Sequence, residues 1–259
     1  MHRHYADVFR PRAVSLTMRP TYLTIAILLA CAAANGARTR AVHVPAGDRL
    51  LWIGAHPDDE GLVAPILGRA CVEGRNTCTV VVLTNGSATR AAELQRAAAN
   101  LHARAIQLDY PDVFDVTAWG PRDAIVSRLA SIITTENPAV IYTFDPRHGS
   151  SCHPAHRETG QLVLDAVATL RSAAPPVMLL ETLIDRDASS RITAFSPATP
   201  AAISLDATSA WHYLVDDAIA NASQFDDESI ALLRAIPTEE QRVWLLPSTA
   251  DVQIAPQCP

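Results

Sequence analysis

The sequence predicts an α/β fold of doubly wound type: one mostly parallel sheet with helices on both faces, in a single domain. Three observations carry that expectation. Short continuous apolar runs recur along the chain, as central parallel strands buried on both faces require. Helix-forming stretches separate them, which is the rhythm of β-α-β crossovers. The 259 residues are 49% hydrophobic and 19% charged, enough for one sizeable core.

The first segment, residues 1–37, reads as an address rather than as fold. Arg19 precedes an apolar run from Tyr22 to Ala34, and small residues continue to Ala37. That order is a basic region, a short hydrophobic region and a cleavage zone, too short for a comfortable membrane span. Met18 would open a more typical signal than Met1. Leu28-Leu29-Ala30-Cys31 resembles a bacterial lipobox, with Leu29 a loose fit. Cleavage after Ala34 or Ala37, lipidation at Cys31 and an uncleaved anchor are the alternatives. The expected location is secreted, periplasmic or cell-surface, with membrane attachment if Cys31 is lipidated.

Leu50 to Gly54 opens the fold as a buried strand, followed by a helix over Gly61 to Cys71 and a second strand from Thr79 to Leu83. Ala91 to Ala103 is helical by propensity, with Leu94, Ala97, Ala98 and Leu101 on one face. A short strand at Ala105 to Leu108, a helix over Arg122 to Glu136 and a strand from Pro138 to Phe144 follow. His156 to Ser172 is helical, Val177 to Glu181 a strand, Ser196 to Pro200 a loop, and Trp211 to Arg234 mostly helical. The expected domain is 45–235, leaving 236–259 as a C-terminal tail.

Composition removes several chemistries. The net charge of −6 offers no basic stripe for phosphates, so nucleic acid is not an expected partner. All 21 basic residues are Arg, which rules out a Schiff-base or P-loop lysine. There is no G-x-S-x-G elbow for a serine hydrolase and no CxxC for a zinc finger. With Cys31 set aside, Cys71, Cys78, Cys152 and Cys258 form an even set suited to an oxidising compartment. Of three connectivities, Cys71–Cys78 brackets a turn-rich stretch, and Cys152–Cys258 would then tie the tail to the second histidine cluster.

Two clusters follow buried strands, at the sheet edge where open α/β folds bind ligands. The first is Ala55-His56-Pro57-Asp58-Asp59-Glu60. A capped helix start accounts for Pro57, Asp58 and Glu60 but not for His56 at the strand end. Across a turn, His56 and Asp59 can point the same way and share a cation. The second is His148-Gly-Ser-Ser-Cys-His153-Pro-Ala-His156, where His153 and His156 have same-face helical spacing. Two imidazoles and a carboxylate suit catalytic zinc, with iron or cobalt also tolerated, better than calcium or magnesium. Asp58 is then the available proton acceptor. His153 is placed to stabilise an oxyanion or protonate a leaving amine.

AHPDDE after the first strand and HPAH far downstream resemble the PIG-L/LmbE family of zinc-dependent de-N-acetylases. The resemblance runs from about Arg49 to Gln224. It implies a Rossmann-like fold, zinc on His56, Asp59 and His156, Asp58 as general base, and His153 as general acid or oxyanion partner. The implied substrate is an N-acylated aminosugar or glycoconjugate. Arg90-Ala-Ala-Glu93-Leu94 resembles the family's Arg-x-x-Glu-Leu, where Arg90 would reach substrate; an exposed Arg90–Glu93 ion pair is the plainer alternative. Asp112, in a stretch similar to the family's acidic loop, would bind sugar hydroxyls. Two departures stand out: Asn221 replaces a histidine in the His-x-Ser-Gln motif, and Cys152 stands where relatives carry glycine. Competing readings are a metal-dependent amide or ester hydrolase acting on a non-sugar substrate, and a secreted carbohydrate- or metal-binding protein without turnover.

Overall fold

The computed structural model describes residues 47–186, 192–248 and Cys258. The signal segment and Cys31 lie outside the described residues. The main sheet has seven strands in the order β3-β2-β1-β4-β5-β9-β8, where β1 is Arg49–Gly54, β2 Thr77–Thr84, β3 Ala103–Tyr110, β4 Val140–Phe144, β5 Val177–Leu180, β8 Ile203–Asp206 and β9 Arg242–Pro247. β1 to β5 pair in parallel, and β9 runs antiparallel between β5 and β8. A separate antiparallel hairpin joins β6 (Thr182–Arg186) to β7 (Ile192–Pro197).

Every residue of β4, and all of β1 and β2 beyond their first, is buried, so both faces of the central sheet are covered. The main helices are α1 (Ala64–Leu67), α2 (Ala88–Asn100), α3 (Arg122–Glu136), α4 (Gly149–Cys152), α5 (Pro154–Thr169), α6 (Trp211–Ala220) and α7 (Asp227–Ala235). α3 packs on α5, and α2 packs on α6. Ser87 caps α2 by accepting the Arg90 amide, and Asn137 ends α3 in the left-handed conformation.

The structure corrects several boundaries. The expected helix from Gly61 to Cys71 is a 3-10 turn over Asp59–Val63, then α1, then a π turn over Gly68–Glu73. Ala103 begins β3, and Ser196 and Pro197 belong to β7 rather than to a loop. The segment expected as a tail carries β9, whose Val243, Trp244 and Leu245 are buried. Its apolar run fills the place beside β5 that a further parallel strand would take. Both expected disulfides, Cys71–Cys78 and Cys152–Cys258, are present.

Candidate metal centre and active site

β2 and β3 extend the sheet to one side of β1, and the chain then crosses back to place β4 on the other side. The carboxyl ends of β1 and β4 therefore flank the switch point where a crevice opens. Both histidine clusters leave the sheet there.

At the end of β1, Gly54 makes room for the loop that follows. A Cβ on it would lie 2.8 Å from Trp52 Nε1 and 3.0 Å from Asp59 Cβ. Asp59 folds back so that its Oδ2 accepts the amides of Ala55 and His56, both at 2.7 Å. Asp58, with φ of 123°, sits in the sparsely used left-handed half of conformational space. Its amide donates to Glu60 Oε2 at 3.1 Å.

At the end of β4, the His156 ring stacks on Phe144 with centroids 4.1 Å apart. His156 Nδ1 lies 2.9 Å from the Gly149 carbonyl oxygen. A carbonyl only accepts, so Nδ1 carries the hydrogen and Nε2 presents a lone pair. His153 caps α5 differently: its Nδ1 accepts the Ala155 amide at 3.3 Å. In neutral His153 the hydrogen is therefore on Nε2, a donor. Burial and the neighbouring His156 and His56 push the His153 pKa down to about 4, which agrees with a neutral ring.

The two strand ends bring three side chains together. His56 Nδ1 is 3.1 Å from His156 Nε2 and 3.6 Å from Asp59 Oδ2, while His156 Nε2 is 3.1 Å from Asp59 Oδ1. His56 Nε2 faces Asp112 Oδ1 at 3.6 Å, which favours the hydrogen on that side and a bare Nδ1. Two lone pairs and a carboxylate oxygen facing one another call for a cation. Tetrahedral bonds of about 2.0–2.2 Å put neighbouring ligand atoms roughly 3.3–3.6 Å apart, close to these separations. The residues present thus fit a divalent metal. Nitrogens of His56, His153 and His156 also lie within 4.8 Å of one another, but the hydrogen on His153 Nε2 makes that ring a donor to the site rather than a ligand.

The electrostatics follow the same partition. Burial alone would raise the Asp59 pKa, but His156 and His56 hold it well below the usual carboxylate range. Burial pushes Asp58 up to about 7, with the Asp59 charge adding and Arg90 opposing. Burial would lower the His56 pKa, yet Asp59, Asp112 and Asp58 raise it.

Arg90 does not form the ion pair with Glu93 that its spacing allowed. One of its terminal nitrogens donates to Asp58 Oδ1 at 2.9 Å and to the Pro57 carbonyl at 2.8 Å, and the other donates to Asp112 Oδ2 at 2.5 Å. Glu93 instead turns to Ser223, accepting from its amide at 2.9 Å and from its hydroxyl. Arg90 and Asp112 line the cavity, and they also brace Asp58 and His56.

Two buried networks escaped sequence reasoning. Asp145 and Glu181, both fully buried directly after β4 and β5, share Arg147, whose Nε lies 2.9 Å from each Asp145 oxygen. Burial would raise Glu181, but the neighbouring His148, 3.6 Å away, Asp145 and the Arg147 charge hold it down to about 2. The rule that singled out His56, polar residues at buried strand ends, also points to these positions. Beneath the metal site, the Asn221 side-chain amide donates to Glu60 Oε1 at 3.2 Å and Asp217 Oδ2 at 3.1 Å. Burial, reinforced by the Asp58 charge, pushes Glu60 up to about 8. Asn221 thus bridges two buried carboxyls. Cys152 has φ of 58°, a conformation glycine adopts without strain.

Residues 51–167 match the PIG-L family, described as GlcNAc-PI de-N-acetylase. That family is one of hydrolytic N-deacetylases, and the domain contains both strand-end clusters. No curated protein sequence matches the chain. Among solved structures, N,N'-diacetylchitobiose deacetylase from Pyrococcus horikoshii is similar, with TM-score 0.60 and 17% identity over 90% of this chain and 95% of that one. GalB, a 4-carboxy-2-hydroxymuconate hydratase from Pseudomonas putida, has TM-score 0.59 and 15% identity over 80% of this chain and 98% of that one. A zinc-inhibited form of teicoplanin deacetylase has TM-score 0.52 and 16% identity over 78% of this chain and 100% of that one. A hydratase among these neighbours means the fold alone does not choose the reaction.

Proposed function

We propose that this protein is an exported, divalent-metal-dependent N-deacetylase that hydrolyses the N-acyl group of an aminosugar or glycoconjugate. The observation that carries the reading is the convergence of His56 Nδ1, His156 Nε2 and Asp59 at 3.1–3.6 Å, with Asp58 and His153 lining the same cavity. The PIG-L match supports the amide as the bond attacked, and the deacetylase neighbours support N-acetylated sugars and glycopeptides as the substrate class.

His56, Asp59 and His156 would hold the metal, with zinc the expected ion. A divalent cation there supplies Lewis acidity, polarising the carbonyl and lowering the pKa of a water from about 15.7 towards roughly 7. Arg90 engages Asp58 Oδ1, which leaves the other carboxylate oxygen to take the water's proton as oxygen adds to the amide carbon. His153 Nε2–H donates to the carbonyl oxygen as negative charge develops on it. The C–N bond then breaks, Asp58 returns its proton to the amine, and the acyl group leaves as carboxylate. The Phe114 side chain is exposed, its ring centroid 5.5 Å from that of His153, and it offers a stacking face to a sugar ring at the mouth of the site.

Asp58→Asn should lower turnover of an N-acetylglucosamine derivative by about 10²–10⁴-fold while bound metal stays stoichiometric. Undiminished turnover would sink the role given to Asp58. Stripping metal with a chelator should abolish amine release, and add-back of zinc, cobalt or iron identifies the ion. Because one relative is known in a zinc-inhibited form, the zinc titration should run past one equivalent.

Export is supported by the apolar run from Tyr22 to Ala34 and by the two disulfides. Mass spectrometry of the mature protein from its native host should show a new N-terminus after Ala34 or Ala37, or a lipidated Cys31. An intact N-terminus at Met1 or Met18 would refute cleavage.

A further inference from the structure

The cavity that contains the metal-site side chains is larger and more apolar than an acetyl group requires. It measures about 330 Å³, and the catalytic cluster forms only part of its lining. Elsewhere it is lined by Leu62, Ile184, Ile192, Phe195, Leu214 and Phe225. These residues come from separate parts of the chain: the 3-10 turn after β1, both strands of the β6–β7 hairpin, α6 and the connection to α7. Among the described residues, the polar side chains that enter the lining beyond the catalytic cluster are Ser151, the exposed Arg186 and the buried Asp217. Asp217 Oδ2 is already engaged by Asn221.

The six apolar side chains offer sugar hydroxyls no partner, and each hydroxyl buried against them unpaired would weaken binding several-fold to a hundredfold. Hydrocarbon placed against them gains instead. The apolar wall and the proposed catalytic groups share one cavity, so a chain attached near the scissile amide can reach the apolar part. Resting on the N-deacetylase reading above, we infer that this pocket binds an alkyl chain of the substrate, longer than acetyl. The chain is carried either by the acyl group or by the aglycone of the aminosugar.

Two series of substrates test this on the metal-loaded enzyme, kept below micelle-forming concentrations. One is N-acylglucosamine from acetyl to decanoyl; the other is N-acetylglucosaminides with methyl to octyl aglycones. Amine release gives kcat/KM for each. The expected result is a rise of about fourfold per methylene in one series until the cavity is full. A rise in the acyl series assigns the pocket to the acyl chain, and a rise in the aglycone series assigns it to the alkyl aglycone. Amine release from acetyl compounds with flat or falling kcat/KM along both series overturns the inference and leaves the N-deacetylase reading intact. No release from any member overturns the N-deacetylase reading, and this inference with it.

Ile184→Trp and Phe225→Gln, at half-buried positions, check the location once thermal melting shows that each variant folds. Each should lower the octanoyl-to-acetyl ratio of kcat/KM, or the octyl-to-methyl ratio, at least tenfold. Ratios unchanged in both folded variants would remove the pocket from the explanation. The wild-type series stands without either variant.

Discussion

Gly149→Ala separates positioning of the proposed metal ligand His156 from general stability. Gly149 has φ of 51°, and its carbonyl oxygen holds His156 Nδ1 at 2.9 Å. A Cβ there would lie 2.7 Å from His156 Cβ and 2.9 Å from the Arg157 amide nitrogen. Both atoms are anchored in the first turns of α5, so neither side chain can swing clear. The left-handed backbone costs about 1–2 kcal/mol for alanine, and overpacking adds about 1–3 kcal/mol. Relief must come from the 149 peptide moving away from His156, which loosens the hydrogen bond that orients the imidazole. Loss of such a partner typically costs about 10–100-fold in metal affinity. The assay is a competition titration against a chromophoric chelator, run beside urea unfolding of the metal-free protein. Expected are a drop in affinity of about that size and a loss of roughly 2–4 kcal/mol in stability. If the variant is destabilised but binds metal within threefold of wild type, the carbonyl does not orient His156 and the reasoning fails.

Arg147→Met should destabilise the protein by about 3–5 kcal/mol in urea, because it leaves Asp145 and Glu181 facing each other without their cation; a loss under about 1 kcal/mol would contradict this. The pH dependence has a definite sign. Glu181 is held at about 2 against a free value of 4.5, so its contribution is present above pH 4.5 and is lost as pH falls towards 2. Without Arg147 both carboxyls titrate higher in the folded state, so the gap between wild type and variant should shrink as pH falls from 7 to 4. A gap that stays constant would show that Arg147 acts through packing alone. Paired Cys152→Ser and Cys258→Ser substitutions open a closure spanning 106 residues and should cost about 4–5 kcal/mol on the chain-entropy account, read by urea unfolding in the absence of reductant. Asn221→Leu removes the amide that bridges Glu60 and Asp217 and should cost about 1–3 kcal/mol. Unchanged unfolding of that variant would mean the two carboxyls satisfy each other.

Much of this molecule was legible before its structure. The runs at Leu50, Thr79 and Val140 are apolar without alternation, because strands covered on both faces have no polar side to show. α3 matched its expected span because Pro121 precedes it and Asn137 ends it, both local signals. His56, Asp58, Asp59, His153 and His156 stood out because polar residues at buried strand ends have little structural reason to be there.

Other features depend on distant parts of the chain. β9 reads as one more apolar run, and only its two antiparallel partners, β5 and β8, place it in the sheet. Spacing offered Arg90 a partner three residues away, but the fold supplied Asp58 and Asp112, both 22 or more residues distant, with better geometry. Two buried acids after β4 and β5 make sense only once Arg147 is seen between them. The apolar cavity beside His56, Asp58 and His153 is likewise built by turns, hairpin and helices far apart in sequence. Residue types and local periodicity thus determined the strands, the helices and the candidate chemistry. Tertiary structure decided the partners, because hydrogen bonds, ion pairs and cavity walls depend on distances through space that no local pattern encodes.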